Sequence, residues 1–498
     1  MFQIPRLLDT DSYKETHHFM YPEDIESMTA YYTHRKNNLS TEDHRIVFFG
    51  IAWWYESMLS QPITYADLEE ADLYLSTHGV ANQPYPYPRD LFEEIIRENR
   101  GYWPVEVRAL PDASVVYPGV PCFTITASKK YARLVTWLET SVMRVWSPTT
   151  TATKSALVKS VLQESFNRTV DPEMHFLLMS RLHDFGSRGA SSAETAMTAG
   201  AGHLLSFDGT DTLIAGAYAT RLNNGKPIGQ SVLATEHSVM TSWPTELEAT
   251  RTILRRTPPG QILSVVADSK DYHAFCKEIL PKIALEAKKR QVFFVLRPDS
   301  RKPVDMVLEG LTALGKAFGT TTNNKGYRVI DGAGLIQGDG LNLEMITEIS
   351  RAVEKAGWSA QTVAYGMGGG LLQTQNRDTL GVAIKLCEKT VNGVRIPIMK
   401  RPVGDPSKIS LPGDFTVLWH PGSGPIVYPR FDYNTAATGA IDQLKVIWNN
   451  GPVGWQPESF AMMRGRLAHD WRHTTRTSMY DPLSQDMRDL LSRTLDTL

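Results

Sequence analysis

Cysteine is scarce in this sequence. The three present, Cys122, Cys276 and Cys387, are odd in number and far apart, which argues against a disulfide framework or a zinc site and for reduced thiols in the cytoplasm. Long apolar runs are missing as well. No stretch approaches the roughly 20 residues that a membrane span requires, and residues 1–14 lack the apolar core of a secretion signal, so the expectation is a soluble protein. Neither sign of charge dominates: 52 Lys and Arg against 54 Asp and Glu leave a formal charge of -2. That gives no global attraction to nucleic acid, while a local basic pocket for a small anion stays open. Internal repeats and low-complexity tails are lacking too.

What is present is apolar residue, 42% of 498 positions, enough for a large core and too much for disorder as the main state. From about 261 to 371 short apolar runs alternate with helical patterns, and each run stops at a polar or glycine cluster. Residues 262–267 end in Asp268, 292–296 in Arg297 and Asp299, 335–337 in Gly338 and Asp339, and 362–365 in a glycine run. Between the second and third, Val307, Leu311, Leu314 and Phe318 recur at helical spacing. This is a βα rhythm, and either a (β/α) barrel or an open doubly wound sheet brings such clusters to one mouth. Leu182 before His183-Asp184-Phe185, and 204–207 before Asp208-Gly209-Thr210-Asp211, predict further strands that extend the rhythm towards residue 150. The first 145 residues show no such rhythm, with an aromatic-rich helical stretch at 48–58 and a turn-rich one at 84–88. The last hundred mix a strand-like run at 415–419 with an amphipathic stretch at 460–471, expected to pack on the N-terminal part.

Several fragments carry chemistry. In Thr235-Glu236-His237-Ser238 a histidine flanked by a carboxylate and hydroxyls suits a general base or a phosphoryl acceptor, although one of 13 histidines is more often a surface or core residue. Asp268, at a strand end, is the type of residue that orients an imidazole. Arg297-Pro298-Asp299-Ser300 suits a phosphate and a ribose diol, and equally an ordinary turn. Gly366-Met367-Gly368-Gly369-Gly370 offers unhindered backbone N–H groups to a phosphate, or is a plain βα turn. Asp184-Phe185-Gly186 matches a protein-kinase triplet, but the rest of that signature is absent. His17-His18 has no partners at metal-ligand spacing.

Taken in order, Thr10-Asp11-Ser12-Tyr13-Lys14, Leu182-His183-Asp184-Phe185-Gly186, Arg188-Gly189, Gly209-Thr210-Asp211-Thr212, Ala234-Thr235-Glu236-His237-Ser238, Asp268-Ser269, Arg297-Pro298-Asp299-Ser300, Gln337-Gly338-Asp339-Gly340 and Gly368-Gly369-Gly370-Leu371-Leu372-Gln373 make the chain resemble the nicotinamide phosphoribosyltransferases over nearly its whole length. The resemblance implies an α/β fold, the decorated (β/α) barrel of type II phosphoribosyltransferases, at 146–396. Beside it stands a smaller α/β domain built from both chain ends, 1–145 and 397–498. It further implies a cytoplasmic homodimer with shared active sites, working in NAD salvage.

By that resemblance, Phe185 and the partner subunit's Tyr13 sandwich the pyridine ring, as flat π-systems favour. Asp211 accepts from the carboxamide and repels the carboxylate of nicotinate. Ser264 belongs to the substrate set, Arg297 bridges ligand and phosphate, and Asp299 and Asp339 bind ribose hydroxyls or Mg2+. Gly338, Gly368 and Gly369 let backbone approach the ligand. Arg188, with Arg35, Arg377, Lys385, Lys400 and Lys408, holds the phosphates of phosphoribosyl pyrophosphate and ATP. His237 is phosphorylated by ATP, with Asp268 orienting it and Asp299 counted with the catalytic group. Ala383, where the family commonly has serine, should cost one phosphate contact, while Ser187 and Met367 also depart from the pattern. The alternatives are a nicotinate phosphoribosyltransferase, against which Asp211 argues, a catalytically silent relative acting as a binding protein, and a metal-dependent barrel hydrolase, for which no ligand set is evident.

Overall fold

Strand and helix alternate through the middle of the chain because apolar runs there are separated by amphipathic segments that can cover them. The computed structural model describes residues 4–299, 302–405, 408–420, 423–431, 441–476 and 481–497; Ser300 lies outside them. Two units emerge, one from Thr151–Gln375 and one from Met1–Thr150 with Asn376–Leu498.

In the first of these, among the described residues, seven parallel strands form one sheet: β1 (Leu182–Asp184), β2 (Gly209–Thr210), β3 (Leu233–Ala234), β4 (Ile262–Val266), β5 (Phe293–Arg297), β6 (Ala333–Gln337) and β7 (Val363–Met367). They pair in the order β2-β1-β7-β6-β5-β4-β3. A parallel bridge from Gly209 to Gln230, just ahead of β3, links the two edges. Around that ring the strands follow chain order, as in a (β/α) barrel. Parallel neighbours need long crossovers, which the helices Ala193–Leu204, Leu213–Leu222, Glu246–Arg256, Leu280–Lys289, Pro303–Phe318 and Leu343–Lys355 supply. The predicted apolar stripe is real: Val307, Leu311, Leu314 and Phe318 of Pro303–Phe318 are at most 2% exposed. They meet Val265 of β4, Phe294 and Leu296 of β5 and Leu335 of β6 in one core, where each full burial of such a side chain contributes about 1.5–3 kcal/mol.

One expected strand is not there. Leu204 ends the helix Ala193–Leu204, and Phe207 stacks on the His203 ring at 5.5 Å, so 204–207 is the last residue of a helix and the buried turn after it, and the strand is Gly209–Thr210.

The other unit, which spans more residues than the barrel, is built on a six-stranded antiparallel sheet among the described residues. Its order is Val394–Pro397, Val382–Val391, Ile25–His34, Pro121–Ser128, Val105–Ala109 and Lys445–Asn449. The division after Gln375 differs from the expected 396 because Val382–Val391 pairs along Ile25–His34. The stretch 48–58 divides as well: Phe48 closes the strand Ile46–Phe48, and the helix Ile51–Trp54 runs on into a wider turn, Tyr55–Leu59. Buried Asp112 accepts from the backbone N–H of Gly50, Ile51 and Ala52 at 2.7, 3.1 and 3.0 Å and so satisfies the helix start. Phe415–His420 is a strand and Phe460–His473 a helix, both in this unit. No helix among the described residues is long and apolar enough to cross a membrane.

Candidate active site

Parallel strands in a barrel end on the same side, so the loops after them converge. Here they enclose a cavity of about 1080 Å³. Phe185, Ser187 and Arg188 reach it after β1, Asp211 after β2, Thr235 and Glu236 after β3, Arg297 and Asp299 at and after β5, Gly338 and Asp339 after β6, and Gly368, Gly369 and Gly370 after β7. Nine of the residues singled out from the sequence therefore share one wall: Phe185, Arg188, Asp211, Arg297, Asp299, Gly338, Asp339, Gly368 and Gly369.

Phe185 rests on bare backbone. A Cβ at Gly366 would fall 2.0 Å from its ring and one at Gly338 3.2 Å, so glycine at 366 is a steric requirement of the ring's position. The Phe185 N–H donates to Met367 at 3.0 Å, and Met367 is itself fully buried at the end of β7. Beside it, Asp184 accepts from the Gly186 N–H at 2.7 Å; burial pushes its carboxyl up to about 6, with that bond pulling the other way. The Asp211 N–H donates to the Asp184 carbonyl at 2.9 Å, and its Oδ1 accepts from Ser231 Oγ. An aromatic face and a partly solvated carboxylate thus stand on adjacent loops.

His237 begins a short helix, His237–Thr241. Its Nε2 lies 3.2 Å from Asp299 Oδ2 and its Nδ1 3.1 Å from Ser269 Oγ. One neutral tautomer satisfies both, Nε2–H donating to the carboxylate and Nδ1 accepting from the hydroxyl. Asp268, expected to orient the ring, is 3.9 Å from Nε2, beyond hydrogen-bond range. Its Oδ2 accepts instead from the Asp299 N–H at 3.1 Å, so it holds the loop that carries Asp299. Its Oδ1 is buried and lacks a hydrogen-bond partner among the described residues. Ser264 is buried on β4 and takes no part in the cavity wall; its carbonyl accepts from Thr235 N at 3.0 Å, tethering the segment that leads to His237. Ser231 carried no signal in the sequence, whereas Ser269 and Gly366 stood inside quoted motifs without a role of their own.

Arg297 is mostly buried, with Nη2 3.8 Å from Asp299 Oδ2 and a buried Nε that has no hydrogen-bond acceptor among the described residues. A donor left over in a polar cavity suits an anionic ligand. Asp211, Glu236, Asp299 and Asp339 are the carboxylates lining the cavity; of these, Asp299 and Asp339 could hold a magnesium ion, which takes one or two carboxylates and completes its shell with water and substrate phosphate. Groups of three or more His, Cys, Asp or Glu side chains that could hold a metal ion are absent among the described residues.

Tyr13, Arg35, Arg377, Lys385, Lys400 and Lys408 belong to the other unit. Tyr13 is 54% exposed. Arg35, Lys385, Lys408 and Ala383 line a cavity of about 230 Å³. Burial pushes the Lys385 ammonium down, opposed by Glu139 and reinforced by Arg35, Lys400 and Lys14. Arg377 pairs with Asp378 at 3.3 Å and Lys408 with Asp405 at 2.8 Å.

Residues 180–420 match the nicotinate phosphoribosyltransferase family, and residues 6–107 match the nicotinamide phosphoribosyltransferase N-terminal domain. The nicotinamide phosphoribosyltransferase of Xanthomonas campestris pv. campestris is 36% identical over 454 residues, 90% of this chain and 95% of that protein. That of Acinetobacter baylyi is 31% identical over 81% of this chain and 86% of its own length. The human nicotinic acid phosphoribosyltransferase structure aligns with a TM-score of 0.60 at 17% identity, covering 97% of this chain and 99% of that one. The nicotinate-nucleotide pyrophosphorylase of Pyrococcus furiosus aligns with a TM-score of 0.61 at 16% identity, covering 95% and 97%. At such identities the structures speak for the fold, which is that of the type II phosphoribosyltransferases. With more than a third of its residues shared over nine-tenths of its length with one of these relatives, the chain belongs to the nicotinamide phosphoribosyltransferase family.

Proposed function

We propose that this protein joins nicotinamide to phosphoribosyl pyrophosphate, forming nicotinamide mononucleotide and pyrophosphate in NAD salvage, and that ATP stimulates the reaction by phosphorylating His237. The observation that carries the substrate choice is the pairing of Phe185, an aromatic face laid on glycine backbone, with Asp211, a carboxylate on the next loop. The flat ring stacks on Phe185. Asp211 Oδ2 accepts from the carboxamide, where nicotinate would bring a second negative charge.

Arg297 and Arg188 face the phosphates, and the glycine run approaches them without side chains. The pyridine nitrogen displaces pyrophosphate at the anomeric carbon. Fixed carboxylates stabilise the positive charge that develops on the ribose, a role that Asp299 and Asp339, both on the cavity wall, would take. Asp299 and Asp339 would hold Mg2+, which would supply charge neutralisation to the leaving diphosphate. With His237 protonated on Nε2, the Nδ1 lone pair, which accepts from Ser269 Oγ at 3.1 Å, would exchange that bond for one to the γ-phosphorus of ATP, with ADP leaving and Asp299 balancing the positive charge that forms on the ring.

We further propose a cytoplasmic homodimer in which Tyr13 and the basic group Arg35, Arg377, Lys385, Lys400 and Lys408 of one protomer serve the other's cavity. The exposure of Tyr13 supports this, and three buried free thiols support a reducing compartment. The test offers nicotinamide and nicotinate in competition with phosphoribosyl pyrophosphate and magnesium, with and without ATP, and identifies the nucleotide by mass spectrometry. Nicotinamide mononucleotide, rising with ATP, is expected. Nicotinate mononucleotide as the main product overturns the substrate, and no nucleotide at all points to a silent binding protein.

A further inference from the structure

Lys154, on the helix Trp146–Thr169, is 7% exposed and donates from Nζ to the carbonyl oxygen of Gly370. Gly370 lines the cavity and Lys154 does not. The other end of the same peptide, the Leu371 N–H, donates to Gly368 at 2.9 Å, so this peptide is clamped at both ends. Two neighbours secure it further: Thr151 Oγ1 donates to the Leu371 carbonyl at 3.4 Å, and Gln375 Nε2 donates to Thr151 at 2.6 Å. On the far side a Cβ at Gly370 would fall 2.4 Å from the Leu341 carbonyl, so the backbone is packed tightly there as well.

The position is electrostatically odd. Burial alone pushes the Lys154 ammonium down to about 8; among the described residues no carboxylate, imidazole or second cation contributes from any element packed around it. A buried cation without a counter-ion is costly, and an apolar side chain of similar length would pack there at lower cost. The missing negative charge has an obvious place, across one thickness of backbone, in the cavity.

We propose that Lys154 is a positioning residue of the phosphate wall: from behind the glycine run it fixes the Gly370 carbonyl and supplies a buried positive charge that a diphosphate-bearing ligand neutralises. This rests on the reading of the cavity as a phosphoribosyl pyrophosphate site. Anion binding then favours the protonated amine. As pH rises through about 8 the ligand-free protein loses that proton, and affinity falls because binding must recover it, by about tenfold in all for a charge that strengthens binding about tenfold.

Binding of magnesium pyrophosphate to the full-length protein, followed by calorimetry between about pH 7 and 9 in buffers of different ionisation enthalpy, tests this. The unaltered protein is expected to take up a proton on binding at the alkaline end. Lys154→Met is expected to bind about tenfold more weakly at neutral pH, the worth of one charge-assisted contact, and to lose that uptake. Lys154→Arg, whose charge does not titrate here, is expected to bind without the alkaline decline. If the methionine variant does not fold, the arginine variant and the unaltered protein decide the matter. Equal affinity and proton uptake with and without Lys154, or an arginine variant that keeps the alkaline decline, overturns the proposal alone. Absence of pyrophosphate binding by the unaltered protein at every pH overturns the substrate reading on which it rests.

Discussion

His237 Nε2 lies 3.2 Å from Asp299 Oδ2, and this contact sets which ring nitrogen carries the lone pair. Asp299→Asn can present an amide N–H to Nε2 and so favours the other tautomer. It is expected to lower ATP-dependent phosphoenzyme by on the order of a hundredfold or more. Asp268→Asn, which keeps an oxygen for the Asp299 N–H, should lose far less. Quantifying acid-labile phosphate on both variants checks this; equal losses would remove the distinction. His237→Ala should show no phosphoenzyme and no ATP stimulation.

Asp211→Asn is expected to narrow the preference for nicotinamide over nicotinate, because it removes the charge that opposes a second carboxylate while keeping an acceptor for the amide. The ratio of the two kcat/KM values measures it. An unchanged ratio takes Asp211 out of selectivity.

Gly366→Ala places a methyl 2.0 Å from the Phe185 ring, so the ring must move off its floor. Overpacking of this kind costs about 1–3 kcal/mol. A lower Tm together with a raised KM for nicotinamide is expected. Gly465→Ala, in the helix Phe460–His473 of the other unit, makes a useful control, since its Cβ would meet nothing within 4 Å.

Glu15, on the helix Ser12–Met20, is 2% exposed and accepts one bond, from Trp137 Nε1 at 3.0 Å. Burial pushes its carboxyl up to about 8, against 4.5 unperturbed, with the Trp137 bond opposing. The folded state therefore holds a proton that the unfolded chain releases above 4.5. Stability from this group is complete below that value, falls as pH rises, and is gone above about 8. Glu15→Gln cannot ionise, so its Tm advantage over the unaltered protein should grow with pH up to about 8 and then level off. A constant difference across that window would show that Glu15 does not titrate in the fold.

Much of the barrel was legible because β4, β5, β6 and β7 are apolar runs that stop at polar clusters, and because Val307, Leu311, Leu314 and Phe318 mark a covered helix. Strands β2 and β3 were not, since two residues carry no periodicity and their pairing depends on neighbours distant in sequence. The same holds for the antiparallel sheet, where Ile25–His34 is buried along most of its length and so lacks the alternation that marks a one-sided strand. In the site, residue types and their place at strand ends pointed to Arg297 and His237, while Phe185 and Asp211 were reached through the family resemblance. The exchange of roles between Asp268 and Asp299 was hidden, because a backbone N–H competes for Asp268 and backbone bonds leave no mark in side-chain identity.

The sheet interleaves strands from the two ends of the chain, and this dictates an order of synthesis. When the ribosome has made the first 150 residues, Ile25–His34, Pro121–Ser128 and Val105–Ala109 can pair, but both outer edges of that trio are bare. Val382–Val391 and Lys445–Asn449, which cover them, emerge only after the entire barrel sequence. Through that interval the nascent chain carries two open strand edges, the features most prone to pairing with another chain. The barrel segment has all its strands in hand by Met367 and can close first, so conditions that slow translation after the barrel prolong the exposure of the sheet rather than of the catalytic cavity.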